Sequence, residues 1–160
     1  MKDEVVALAI FCYIGLMAHQ HIKSSTENKI RRGRSCVYLL HVHLVFVTKY
    51  RKSIFRATYL SAMKEIFAKI CFDFDSFLKD FNGEGDHVHL LVEYPTKVSI
   101  AKLVNSLKGV SSRLLKKRYP EIASYYWKGA LWSPSYFAGS CGGAPLSVIK
   151  KYIENQCTPK

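Results

Sequence analysis

The stretch Gly85-Asp86-His87-Val88-His89-Leu90-Leu91-Val92 constrains this chain most, because it sets two imidazoles two residues apart inside a run that otherwise reads as β-strand. Side chains along a strand alternate between faces, so His87 and His89 point one way while Val88, Leu90 and Val92 point the other. One face belongs to a core, and the other carries two nitrogen ligands. Neutral imidazoles at that spacing can close on one divalent ion, provided that a third ligand arrives from elsewhere in the fold.

The rest of the chain is able to build a core behind that strand. At 160 residues, 49% hydrophobic and 13% aromatic, it reads as one folded domain that needs no staples. Its formal net charge is +12, which makes a polyanion the leading class of partner. The charge is also clustered: eight Lys or Arg and no acid lie between Asn28 and Thr58, and seven with no acid between Thr96 and Pro120. Tyr, Phe, Ser and Asn interleave these runs, which suits nucleic acid better than a membrane surface. Cys12, Cys36, Cys71, Cys141 and Cys157 are odd in number and form no Cys-x-x-Cys pair. They read as reduced thiols in a reducing, cytoplasmic compartment, without a zinc site. His19 and His21 receive no role.

Along the chain, residues 1–30 read as an extension and residues 31–160 as the domain. Val5 to Ala18 is apolar but too short for a comfortable transmembrane helix, and Asp3 and Glu4 precede it where a signal peptide wants positive charge. Val37 to Thr48 looks like a central strand covered on both sides, and it holds a second histidine pair, His41 and His43. Spacing alone does not choose between the two pairs. The strand runs into Thr48-Lys49-Tyr50-Arg51-Lys52, a basic loop suited to phosphate contact.

Thr58 is the expected N-cap of a helix whose stripe is Leu60, Met63, Phe67 and Ile70. Phe77 to Phe81 and the turn Asn82-Gly83-Glu84-Gly85 predict a hairpin into the His87 strand. Ser99 opens a helix with Ile100, Leu103, Leu107, Val110 and Leu114 on its apolar stripe and Lys102, Asn105, Ser106, Arg113 and Lys116 opposite. Aromatics crowd between Ser124 and Phe137, and most of those rings are expected in the core. Leu131 to Ala138 is expected to be a strand, made an edge or bulged one by Pro134. Gly142-Gly143 is a hinge before a last helix that starts at Pro145 and ends near Gln156. Hairpins with intervening helices favour an α+β sandwich, a largely antiparallel sheet with helices on one side.

On the last helix Tyr152 and Gln156 are four residues apart and share a face. A hydroxyl nucleophile and an amide oxygen presented together can serve one site, although Tyr-x-x-x-Gln taken alone is a weak signal. Such a pair is most often a half-buried aromatic beside a solvated amide.

The His87-Val88-His89 strand, the Ser-rich amphipathic helix after it, Leu131-Trp132-Ser133-Pro134-Ser135-Tyr136-Phe137, Gly142-Gly143 and Lys151-Tyr152-Ile153-Glu154-Asn155-Gln156 stand in a telling order. Together with Phe46-Val47-Thr48-Lys49-Tyr50-Arg51, they resemble the single-tyrosine HUH transposases of small insertion sequences, the IS200-like family. The similarity runs from about Arg31 to Gln156, and the first thirty residues depart from the family pattern. The resemblance implies a ferredoxin/RRM-like sandwich with a C-terminal catalytic helix after the glycine hinge. It implies that His87, His89 and Gln156 bind Mg²⁺ or Mn²⁺ and that Tyr152 is the nucleophile. Two imidazoles and an amide favour Mn²⁺ on ligand softness.

The implied activity is cleavage and rejoining of single-stranded DNA with hairpin ends through a 5′-phosphotyrosine. A homodimer is implied as well, in which the tyrosine helix of one subunit completes the other's site. Lys49, Arg51, Lys102 and Arg113 are the candidate DNA contacts, and no membrane partner is expected. Three other readings share many of these features: a non-catalytic nucleic-acid module, metal-dependent hydrolysis without a covalent step, and a domesticated relative that processes chromosomal repeats.

Overall fold

The computed structural model describes residues 30–141. Two short strands come first, β1 (Arg31–Arg32) and β2 (Val37–Tyr38), paired with each other as a small antiparallel hairpin. The domain proper then follows as β3 (His41–Val47), α1 (Ala57–Asp73), β4 (Phe77–Gly83), β5 (His87–Glu93), α2 (Ile100–Arg118) and β6 (Phe137–Ser140). The sheet order is β4-β5-β3-β6 with every neighbour antiparallel. This is the β-α-β-β-α-β arrangement of a ferredoxin-like sandwich, as the sequence predicts.

The period of two decides which face of the sheet meets the helices. Val42, Leu44 and Phe46 of β3 and Val88, Leu90 and Val92 of β5 join Met63, Phe67 and Ile70 of α1 and Leu103, Val104 and Leu107 of α2 in one buried cluster. Burying each such side chain contributes about 1.5–3 kcal/mol, which is what holds the helix layer to the sheet. Among the described residues, no helix is long and apolar enough to cross a membrane.

Several local expectations change. The predicted long strand from Val37 divides, because Val37 and Tyr38 pair with Arg32 and Arg31 while the central ladder begins at His41. Helix α1 is not capped by Thr58: Arg56 holds the extended cap conformation, and its carbonyl accepts from the amides of Tyr59 and Leu60. Helix α2 does start after Ser99, but its buried face is Leu103, Val104, Leu107, Ser111 and Leu115. The stripe turns toward Ser111 because the indole Nε1 of buried Trp132 donates to that hydroxyl at 3.1 Å.

The predicted strand from Leu131 also divides. Trp132 forms a single bridge with Thr48, and regular pairing resumes only at Phe137. Between them Lys108 donates to the carbonyls of Ser133, Pro134 and Ser135, tying α2 to the turn that Pro134 imposes. Of the aromatics expected in the core, Trp132 alone is buried, whereas Tyr125, Trp127 and Tyr136 are exposed. The turn accounts for Tyr136, whereas Tyr125 ends the short helical segment Pro120–Tyr125 and Trp127 sits in a turn of its own with Ala130.

Candidate active site

The face of the sheet turned away from the helix-side core carries the histidines. Register places His43 opposite Leu91, Val45 opposite His89 and Val47 opposite His87, so all of these share one side. Val45 and Leu91 are fully buried, and His87 and His89 are 4% and 1% exposed. These imidazoles therefore sit in a low-dielectric setting where each unmet polar atom is costly.

Backbone bonds lace the lead-in to β5 onto the loop after β3. The carbonyl of Asp86 accepts from Thr48, and that of Gly85 accepts from both Ile54 and Phe55. A Cβ on Gly85 would press on the Ser53 side chain, so glycine eases the close approach of the two segments. The loop is the single-turn segment Lys49–Arg51, in which Tyr50 and Arg51 adopt left-handed φ values of 59° and 50°. Non-glycine residues seldom hold that region without tertiary support. Here the support is Arg51 Nε, which donates to Asp86 Oδ2 at 2.8 Å.

Asp86 Oδ1 in turn lies 2.7 Å from His87 Nδ1. The hydrogen bond from His87, and then that from Arg51, hold the Asp86 carboxyl at about 2, below its usual range. In a neutral imidazole, an ionised carboxylate facing Nδ1 favours the proton on that nitrogen and leaves Nε2 as the side able to bind a metal. Metal-binding histidines are commonly oriented in this way.

His89 reaches the same condition through a different partner. Its Nδ1 lies 3.0 Å from His43 Nε2, and burial lowers His89 to about 3 and His43 to about 4, so both rings are neutral near pH 7. The other nitrogen, His89 Nε2, is buried with no hydrogen-bond partner. The planes of His87 and His89 are 80° apart, with centroids 5.1 Å apart.

That orphaned nitrogen beside an oriented imidazole fits a divalent ion bound through Nε2 atoms. Among the described residues no group of three His, Cys, Asp or Glu side chains could hold an ion, so these histidines form an incomplete set. Tyr152, Gln156 and the Gly142-Gly143 hinge lie outside the described residues.

The DNA-contact candidates separate into two places. Lys49 and Arg51 are on the loop joined to Asp86, while Lys102 and Arg113 are exposed on α2, whose sheet-facing side packs against the opposite face from the histidines. Beside Lys49 lies a feature that composition did not place. The exposed rings of Tyr50 and Trp127 meet edge to face at 5.6 Å, with Lys49 and Lys128 near their faces. Trp127 is held there by a two-residue turn to Ala130, with Lys128 and Gly129 at φ 46° and 79°. Both central residues of such a turn need positive φ, and glycine supplies one of them at no steric cost.

Residues 36–156 match the family model described as Transposase IS200 like. The chain belongs to the IS200-like transposase family. It is 32% identical over 128 residues to the ISDra2 transposase TnpA of Deinococcus radiodurans, an alignment covering 80% of this chain and 91% of that protein. It is 29% identical over 114 residues to the transposase for insertion sequence element IS200 of Salmonella typhimurium, covering 71% and 74%. A crystal structure of a candidate transposase from Deinococcus radiodurans superposes with a TM-score of 0.66 at 32% identity, covering 81% of this chain and 99% of that one. The fold and the transposase assignment thus agree.

Proposed function

We propose that this transposase cleaves and rejoins single-stranded DNA through a covalent 5′-phosphotyrosine at Tyr152, with His87, His89 and Gln156 holding Mg²⁺ or Mn²⁺. The observation that carries the reading is the buried, unpartnered Nε2 of His89 next to a His87 whose Nδ1 is engaged by Asp86. When bound, a divalent ion would polarise a non-bridging phosphate oxygen and offset charge in the transition state.

The chain's own part is attack and release. The Tyr152 oxygen forms a bond to phosphorus as the bond to the 3′ oxygen breaks; one proton leaves the phenol, and one is taken up by the departing 3′ oxygen, which becomes a hydroxyl. The phosphoester is conserved, so a later 3′-hydroxyl can reverse the step without ATP. Asp86 and Arg51 keep His87 oriented throughout. Strand grip falls to Lys49 and Arg51 near the histidines, with the Tyr50 and Trp127 rings offering faces for unpaired bases, and Lys102 and Arg113 lie on the helix layer. The substrate is DNA with hairpin ends, handled in the cytoplasm by a homodimer in which the Tyr152 helix of each subunit completes the partner's site.

Incubating the full chain with a single-stranded oligonucleotide and Mn²⁺ tests this. A covalent protein–DNA adduct with a free 3′-hydroxyl fragment is expected, absent in Tyr152→Phe. An adduct that persists in that variant sinks the nucleophile assignment. A 5′-phosphate product without an adduct indicates hydrolysis instead.

A further inference from the structure

His43 has no part in the reading above, yet it is the side chain in direct contact with His89. The two ring planes differ by 18° and the centroids lie 5.3 Å apart. That separation is what the 3.0 Å gap between His43 Nε2 and His89 Nδ1 leaves when one imidazole radius is added at each end. The rings therefore lie edge to edge, nearly in one plane, and the contact is an in-plane hydrogen bond between nitrogens, not a face-to-face stack. The His43 ring is held from the side as well. Phe137 meets it edge to face at 5.8 Å, and Gly139, paired with His43 in the sheet, leaves the space into which the Phe137 ring folds.

One proton must lie between the two nitrogens, and it can belong to either ring. If His43 donates, the proton of neutral His89 moves to Nε2, where it is a buried donor with nothing to meet. If His89 donates from Nδ1, the buried Nε2 is a lone pair. An unmet buried donor or acceptor costs about 1–3 kcal/mol, and only the lone pair can be answered by a cation, so the second arrangement is the one that suits a site a cation is to occupy.

We infer that His43 is a positioning residue: its Nε2 accepts the His89 Nδ1 proton, and by holding that tautomer it presents His89 Nε2 as a ready metal ligand. The inference rests on the proposed function, since the awaited cation is what favours the proton on His89 Nδ1; the spectrum of the metal-free chain tests the tautomer separately from metal binding. The two histidines of the HUH strand are then oriented by unlike acceptors, a carboxylate for His87 and a neutral imidazole for His89. Replacing such outer partners commonly lowers metal affinity about 10–100-fold.

The test uses the metal-free full chain, labelled with ¹⁵N, near pH 8 where ordinary imidazoles are neutral. Long-range proton–nitrogen spectra should show His89 carrying its proton on Nδ1 and His43 carrying its own on Nδ1. Finding the His89 proton on Nε2 in the wild type overturns the inference, whatever the metal result. In His43→Phe the Nδ1 tautomer should be lost and Mn²⁺ affinity, read from the paramagnetic resonance of free Mn²⁺, should fall about 10–100-fold, with recovery in His43→Gln, whose amide oxygen can accept the same proton. Unchanged Mn²⁺ affinity in a folded His43→Phe also overturns it. Should His43→Phe fail to fold, the wild-type spectrum and His43→Gln decide. A wild type that shows the expected tautomer and binds no Mn²⁺ counts against the metal reading and overturns the role assigned to His43 toward a metal.

Discussion

The two ends of the histidine-bearing face hold similar residues to different ends. At one end the buried carboxylate of Glu93 is met by Lys79 at 2.7 Å, Arg31 at 3.5 Å and His41 at 3.7 Å. At the other, Asp86, His87, His89 and His43 form a relay of contacts that stops at a nitrogen with no partner. The same two strands supply both, since His41 pairs with Glu93 and Val47 with His87. The Glu93 cluster answers its own charge and ties the β1–β2 hairpin to the sheet through Arg31. The His87 cluster is organised around something still to arrive. Histidine content does not tell them apart; what distinguishes them is that one gathers basic side chains around a buried carboxylate, while the other runs out at a histidine nitrogen.

Exchanging the demands on the two ends gives the largest expected contrast. His89→Ala should bring adduct formation with a single-stranded oligonucleotide down to background, at a cost of about 1–3 kcal/mol in stability because it also leaves His43 Nε2 without its partner. Glu93→Gln should lower stability and leave adduct formation in place. Lys79 is 37% exposed at its side chain, which moderates the loss to about 1–3 kcal/mol of stability, with adduct formation retained. Denaturant unfolding alongside the cleavage assay reads both quantities. If His89→Ala unfolds the domain, or Glu93→Gln abolishes cleavage, the contrast between the ends is wrong.

A middle-sized effect is expected at the aromatic pair, which lies by sequence and contact on the active end. Tyr50→Ala and Trp127→Ala should each weaken single-stranded DNA binding by about 1–3 kcal/mol if a base stacks on them. Fluorescence anisotropy of a labelled oligonucleotide measures this, and equal affinity in the double variant removes the pair from the DNA path. The same substitutions at the Glu93 end, for example Phe77→Ala beside Arg31, should leave DNA affinity unaltered.

Much of this was legible in the sequence, and the part that was not has a physical reason. Alternation alone put His87 and His89 on one face and Val88, Leu90 and Val92 on the other, because period two is a property of a single strand. The helices were legible from their three-and-four spacing, though the exact stripe of α2 depended on Ser111 meeting Trp132 across the fold. His41 and His43 could not be ranked. Which of them meets His89 depends on the register of β3 against β5, and a slip of one residue would send all four histidines' neighbours to the wrong side. Likewise the exposure of Tyr50 and Trp127 comes from two separate backbone segments in left-handed conformations, which composition does not encode. Tyr152 and Gln156 were picked out by spacing and family resemblance, and they lie beyond the described residues.

The smallest effect tests how Asp86 divides its two oxygens. Its carboxyl is held at about 2 against an ordinary 3.8, chiefly by the bond from His87 and secondarily by that from Arg51. A carboxyl with a lowered folded value stabilises fully above its unfolded value, and the contribution is lost as pH falls through the folded one. The window is therefore from about 4 down to about 2, and Asp86→Asn should flatten the acid limb of stability across it. Arg51→Met should remove only the lesser share. Arg51 is 37% exposed, so its pair with Asp86 contributes about 0–1 kcal/mol near neutrality, and the acid limb should shift upward by less than Asp86→Asn flattens it. Because Arg51 holds a left-handed conformation, some of any loss would come from the loop instead of the charge. Arg51→Lys separates the two, keeping a cation while giving up the planar donor. Should Arg51→Met flatten the acid limb as fully as Asp86→Asn, Arg51 and not His87 is the group that keeps Asp86 ionised, and the orientation of His87 would then depend on the exposed loop.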